Sequence, residues 1–378
     1  LFSANTRHQI RIGGQLIHHA FSVGTQSFTS RLGSNNQDTL LEQPVIPAWE
    51  SGVYIEDDWK ISPALGLRVG IHWATFSVRD TTYQSLQPRL SLRWSVNEKL
   101  SIKAFWSTMA QYLHLLTNSG VGLPTDLWVP PTNKILPQQS WQVGLGGVYQ
   151  LTKGYSVSLE GYYKQLDNTL EYREGTDFVE VSENWEDQVV QGVGENYGVE
   201  VLVRKERGKL RGWVGYTLSW AERQSDQLNF GRPYPYKFDR RHDLGLAMQY
   251  QWKENIHVSG NWVFGSGYVT TLPTLRYSVQ TPYYNTTESI LHYEGRNNFR
   301  MPAYHRLDLS ISFTKQKKRG KRIWTFGLYN AYNRQNPFFL EVRPDFNESY
   351  RPGEPQPSFV WQQSLFPVLP SASYKFTF

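Results

Sequence analysis

Period-two alternation runs through this sequence from one end to the other, and no other feature restricts the fold so strongly. In Leu244-Gly-Leu-Ala-Met-Gln-Tyr-Gln-Trp252 the positions 244, 246, 248, 250 and 252 are apolar or aromatic, while Gly245, Ala247, Gln249 and Gln251 are small or polar. Leu90, Leu92, Trp94 and Val96 alternate with Arg89, Ser91, Arg93 and Ser95. Leu307, Leu309, Ile311 and Phe313 alternate with Asp308, Ser310 and Ser312. Successive side chains on a strand point to opposite faces, so a chain written this way presents two chemically different surfaces. Helical periodicity is hard to find, and the chain reads as all-β.

Marking these segments gives about fourteen strands of roughly ten to fifteen residues each. They fall near 7–17, 48–61, 65–79, 83–96, 100–112, 138–151, 155–170, 192–206, 210–223, 239–252, 255–269, 299–314, 321–335 and 361–378. Short and long connections alternate between them. Ser62-Pro-Ala64, Asn97-Glu-Lys99, Thr152-Lys-Gly154, Arg207-Gly-Lys209 and Lys253-Glu-Asn255 are short and polar. The basic run Lys315–Arg322 is a slightly longer sixth; with Gly320 inside it and alternating segments around it, it reads as a solvated turn, not a nucleic-acid patch. The long connections are 18–47, 113–137, 171–191, 224–238, 270–298 and 336–360. One case, 80–82, is short where the pattern asks for a long one.

A soluble β-sandwich has alternating strands too, but its loops carry no up-down asymmetry and its apolar faces share a dry core. A transmembrane barrel requires short turns on one side, long loops on the other, apolar residues toward lipid and polar ones toward the lumen. Here the inward set contains Arg, Asp, Glu and Gln, which a dry core would not bury unpaired. No apolar run of about 18 residues exists, so a transmembrane helix is excluded. With no cysteine, disulfides and thiolate metal sites are excluded as well. The 56 aromatics, 15% of the residues, fit the interfacial belts of a barrel. Mean hydropathy of −0.53 is compatible, because only alternate residues meet lipid. The expected fold is a transmembrane antiparallel up-and-down β-barrel.

Tyr374, Phe376 and the final residue Phe378 form an aromatic closing strand. In a barrel that strand offers an open edge before closure, and the pattern resembles the terminal assembly signal of outer-membrane proteins.

Several stretches then resemble the carboxyl-terminal barrel region of TonB-dependent outer-membrane receptors. They are Tyr54-Ile-Glu-Asp-Asp-Trp-Lys60, Gln87-Pro-Arg-Leu-Ser-Leu-Arg-Trp94, Gln111–Asn118 followed by Gly122–Pro130, Tyr197-Gly-Val-Glu200, Phe238-Asp-Arg-Arg-His-Asp243, Tyr304-His-Arg-Leu-Asp308 and Tyr329–Pro337. The resemblance implies a 22-stranded barrel plugged by an amino-terminal domain whose short box engages the energy-transducing protein TonB. Residues 1–378 would be the carboxyl-terminal portion of that barrel, its last fourteen strands, with the plug domain outside the sequence. An open sheet would leave backbone groups unpaired in hydrocarbon at several kcal/mol each, so either further strands complete the barrel or the fourteen close on themselves as a smaller pore. Completion is the expectation. The implied location is the outer membrane of a Gram-negative cell. Implied partners are outer-membrane lipid, TonB through the plug and the barrel assembly machinery, with a surface lipoprotein left open and no nucleic acid.

No catalytic site, cofactor or metal site is expected. Asp57 and Asp58 are strand neighbours on opposite faces and cannot share a substrate. His18 and His19 read as an adjacent loop pair, more simply solvated than metal-binding. His242 and His305 sit at strand starts beside charges and suggest ion-pair clusters. Candidate ligand or plug contacts are His114, Asp126 and Trp128 in the 113–137 loop, where Leu123-Pro-Thr-Asp-Leu-Trp128 joins a rigid Pro, a carboxylate and an indole. The same loop could equally fold into the barrel mouth and pack there. Tyr283, Tyr284 and His292 in the 270–298 loop are the second group, with interface-belt tyrosines as the alternative. The expected function is energised import of a large scarce nutrient such as a metal chelate, oligosaccharide or peptide. A passive channel and a barrel scaffold or adhesin are the alternatives.

Overall fold

The alternating segments become fourteen long strands: β1 His8–Phe21, β2 Ile46–Lys60, β3 Leu65–Val78, β4 Thr81–Ser95, β5 Leu100–Gln111, β6 Gln138–Thr152, β7 Tyr155–Tyr172, β8 Val189–Lys205, β9 Leu210–Gln224, β10 His242–Lys253, β11 Ile256–Gly265, β12 Tyr304–Lys317, β13 Gly320–Tyr329 and β14 Leu369–Thr377. The computed structural model describes all residues except 1, 4–5, 23–24, 31–36, 43–44, 118–126, 153, 175–184, 281–286 and 346–357. Each strand pairs antiparallel with its neighbour in sequence, making one continuous meander. Two-stranded ribbons at 25–30 with 37–42, 275–280 with 287–292, and 339–344 with 358–363 occupy connections that the sequence reads as plain loops, the last ribbon also taking in 361–363, read as the start of the closing strand.

Registers align the two chemistries across the sheet. On one face Leu246 lies opposite Trp262 and Trp262 opposite Leu307, while Val258, Ile311, Phe326 and Ala372 make a second row. On the other face Gln249, Ser259, Ser310 and Gly327 line up, and the Ser312 and Thr325 hydroxyls are 2.9 Å apart. The apolar face is bare: Ile12 is 70% exposed, Leu145 63% and Leu86 61%. In water a face like this would drive collapse or aggregation, so its solvent is hydrocarbon. This alternation is the transmembrane barrel fold expected from the sequence.

The principal apolar cluster sits at the long-loop end, not along the wall. Ala48, Ala74, Phe76 and Val78 at the ends of β2 and β3 pack with Tyr112, Leu116, Val129 and Ile135 of the 112–137 connection and with Trp185. The one short connection on that side, Arg79-Asp80, follows Val78 of this cluster. This β3–β4 turn, with Arg79 at φ 49°, is exposed, and the Arg79 guanidinium donates to Glu186 at 3.2 Å.

Several strand limits differ from the sequence reading: β14 begins at Leu369, not 361, because 358–363 pairs with 339–344 in a separate ribbon, and β12 begins at Tyr304, not 299. β1 runs to Phe21, so His18 and His19 are strand residues, not a loop pair. They face opposite sides: the His18 ring lies 4.7 Å from that of Trp49, and His19 Nε2 is 3.1 Å from Glu50. Two such histidines cannot share an ion. β10 starts at His242 instead of 239 because Asp239 is drawn into a buried ion cluster. β13 stops at Tyr329 because Asn330, at φ 52°, turns the chain and holds it by accepting from the Arg334 N–H and donating to the Phe366 carbonyl. Among the described residues β14 bonds only to β13, and no pair joins it to β1.

The two faces should respond oppositely to charge. Leu246→Arg, mid-strand on the apolar face, should cost about 2–4 kcal/mol in urea unfolding from lipid vesicles, and Gln249→Arg on the polar face close to nothing. Equal costs would contradict the assignment of faces.

Candidate functional site

The polar face carries its charges in cross-strand sets, which is how ionised groups are kept beside a low-dielectric wall. Arg11 contacts Glu56 at 2.9 Å and Asp58 at 3.8 Å, and Arg68 donates to Asp58 at 2.6 Å. Asp57 faces the other way and is 2.6 Å from His8 Nδ1, so the two adjacent carboxylates have separate partners, as their strand position requires. Rings lie flat on this face where glycine admits them. A Cβ at Gly13 would overlap the Tyr54 ring, and one at Gly144 would overlap Phe105. Flat rings leave the space in front of the wall free. Glu160, Tyr162, Lys164 and Asn196 border one recess there, of about 340 Å³.

Three nodes build the outer mouth. The first is centred on Asp239, whose side chain is wholly buried. It accepts from the Arg300 guanidinium and from the Ala221 N–H at 2.8 Å, with Arg241 at 3.6 Å. Arg300 also donates to the carbonyls of Asp239 and Gly267, and Arg241 lies over the Trp220 ring at 4.5 Å. The second joins four distant segments. Glu171 at the end of β7 pairs with Arg296 at 2.9 Å, Arg296 lies over Tyr234, and Arg223 lies 4.2 Å over Tyr236 while donating to Asn196. Burial and the neighbouring Glu171 carboxylate push the Tyr234 hydroxyl up. The third is Arg306, which donates to Asp308 and to the Tyr304 and Tyr329 hydroxyls, while Asp308 accepts the Asn330 N–H.

The folded-in 112–137 connection contains His114, 2% exposed, whose ring is 3.1 Å from the Leu136 carbonyl. Burial depresses it to about 4. Trp128, opposite Leu115, is half exposed at 49%, so this connection packs through Leu116 and Val129 and shows its indole. His292 ends an exposed ribbon, 6.2 Å from the Tyr277 ring. Asp126, Tyr283 and Tyr284 lie outside the described residues. The structure therefore brings His114 and Trp128 into one connection, with His292 on another. Tyr374 packs at 4.8 Å on Trp324 on the apolar face, and Phe376 and Phe378 are exposed beyond it. His242 and His305 each meet a tyrosine hydroxyl, Tyr216 at 2.9 Å and Tyr332 at 2.8 Å. Sequence reading missed Glu171, Arg223, Tyr234 and Arg296: they are spread over residues 171–296, and only the aromatic Tyr-Pro-Tyr at 234–236 hinted at a packed loop.

The family model described as TonB dependent receptor-like, beta-barrel matches residues 2–333. No curated protein matches the chain. Solved structures share its fold. The ferric-catecholate import receptor Fiu from Escherichia coli K12 is 13% identical, with 88% of this chain and 48% of that one covered at a TM-score of 0.58. The ferripyoverdine receptor of the Pseudomonas aeruginosa outer membrane is also 13% identical, over 88% and 43%, at 0.58. The siderophore receptor PirA from Acinetobacter baumannii is 15% identical, over 87% and 48%, at 0.55. The chain spans about half the length of these structures.

Two measurements test the mouth. A histidine depressed on folding takes up its proton more readily when its surroundings open, so His114 stabilises the packed loop above pH 6.5. That contribution is lost as pH falls from 6.5 through about 4. The loss, about 3 kcal/mol at 1.36 kcal/mol per pKa unit, should appear as faster hydrogen exchange at 112–117 and 127–137, and His114→Gln should abolish the pH dependence. Asp239→Ala leaves the partly buried Arg300 charge without its carboxylate partner and the Ala221 N–H without its acceptor, and should lower stability by about 3–5 kcal/mol in thermal unfolding.

Proposed function

We infer, from the premise that this chain belongs to the TonB dependent receptor-like β-barrel family, that it forms part of the wall and mouth of a receptor importing a scarce nutrient. Members of this family are outer-membrane receptors and transporters, not enzymes, and the chain is an outer-membrane protein of a Gram-negative cell. The observation that carries the import reading is the two-faced meander. Its apolar side suits lipid, its inner side holds paired charges, and its mouth is framed by arginines on aromatic rings.

We take the cargo to be a metal chelate. The matched structures are named as receptors for ferric catecholate, ferripyoverdine and a siderophore. An exposed indole at Trp128 and the partly exposed Arg241 guanidinium over the Trp220 ring provide stacking and anion-binding chemistry suited to such ligands. Import would draw on the proton gradient through TonB, engaged by a plug domain. His114, Asp126, Trp128, Tyr283, Tyr284 and His292 remain the proposed ligand or plug contacts, with His114 acting through the packing of its loop. Tyr374, Phe376 and Phe378 remain the proposed signal to the assembly machinery.

Uptake of a radiolabelled ferric catecholate by cells making the complete protein is the test. Transport should stop when the proton gradient is collapsed or TonB removed, and Trp128→Ala should weaken binding by about two- to tenfold, the scale of one lost stacking contact. Steady ion conductance in a planar bilayer with no energy coupling would instead identify a passive channel. A stable protein partner with no transport would identify a scaffold.

A further inference from the structure

Positive charge is distributed unevenly along this chain. The segments 204–211, 253–254 and 315–322 together with Lys375 hold thirteen Lys and Arg against two carboxylates, Glu206 and Glu254, and the rest of the chain has 26 Lys and Arg against 31 Asp and Glu. All thirteen lie at the short-turn ends of β8 to β14, whereas the short turns of the first strands, at 60–65 and 96–99, are nearly neutral with Lys60, Glu98 and Lys99. In an outer-membrane barrel the short turns are periplasmic.

Strand parity then separates these cations by face. Lys315, Lys317 and Arg322 share the apolar face with Phe313 and Trp324, and Lys205 shares it with Val203 and Tyr155. They stand beside aromatic side chains of the interfacial kind. Lys205 Nζ lies 4.8 Å over the Tyr155 ring, Arg322 is opposite Phe376, and Trp324 packs on Tyr374 at 4.8 Å. Lys315 and Arg322 sit directly opposite each other across β12 and β13, an arrangement that is destabilising unless an anion lies between them. Among the described residues none of these four cations forms an ion pair; the ion pair at this rim, Arg204 with Glu206, is on the lumen side.

We propose that this half of the periplasmic rim is a binding surface for anionic phospholipid headgroups of the inner leaflet, with Lys205, Lys315, Lys317 and Arg322 as the contacting residues. An aromatic belt marks the depth of the headgroups, and cations immediately outside it on the lipid face meet phosphates at close range. A soluble acidic protein would approach from the periplasm and meet the turn tips. It would have no reason to select the lipid-facing side chains. The site is independent of what the mouth binds.

Native mass spectrometry of the purified protein, offered phosphatidylglycerol and phosphatidylethanolamine in equal amounts, is the test. The native protein should retain phosphatidylglycerol preferentially. The variant K205Q/K315Q/K317Q/R322Q should lose that preference by at least about tenfold, since each surface cation contributes roughly a fivefold factor. K321Q/K375Q, altered on the lumen face of the same rim, should keep it. Heat-modified migration on a denaturing gel identifies variants that have not folded. For these, the native protein's preference should still fall steeply with added salt. Equal retention of the two lipids by the native protein, an unchanged preference in the quadruple variant, or displacement by inorganic phosphate at comparable strength would each overturn the proposal.

Discussion

Hydrocarbon offers no hydrogen-bond partner, so each N–H and C=O that crosses it must find one on an adjacent strand. The rest of this molecule follows from that requirement. It turns the alternating sequence into a meander in which β1 to β14 each pair with the next. It confines irregular backbone to the two ends, where water or packed loops supply partners. It also makes the outer edges of β1 and β14 the places where further pairing must occur, either with each other or with strands beyond this chain.

The two ends use different physics. At the long-loop end, the chain invests in buried chemistry: an apolar cluster over β2 and β3, and ion nodes at Asp239, Glu171 and Arg306. Arginine suits those nodes because its planar fork can meet a carboxylate, a carbonyl and a ring at once, as Arg300 and Arg306 each do in part. At the short-turn end the turns are tight and little is buried, so charge remains on the surface where lipid headgroups and water can reach it. Rigidity at the mouth and charge at the rim are thus separate consequences of one topology.

Much of the fold was legible from residues such as Leu244 to Trp252, because a lipid-facing strand must be apolar at every second position and little else can be written that way. The mouth was legible only in fragments. Phe238-Asp-Arg-Arg-His-Asp243 and Tyr304-His-Arg-Leu-Asp308 stood out as stretches, yet nothing local says that Asp239 is met by Arg300 or that Arg306 reaches Tyr329. The His18-His19 pair was misread because the strand continues past the point where the pattern weakens, and two neighbours on a strand face apart.

The sequence by itself determined the class of structure, the number of strands, their pairing order and which face meets lipid, since period and connection length are local properties of the chain. Only the tertiary structure decided where the mouth closes and what fills it. Glu171, Arg223, Tyr234 and Arg296 come from four separate segments, and their meeting depends on how loops fold back over the sheet. The same holds for the rim. The basic run at 315–322 was visible as a turn, but which of its cations face lipid, and that Lys205 stands with them, follows from strand register, which fixes the face of every side chain.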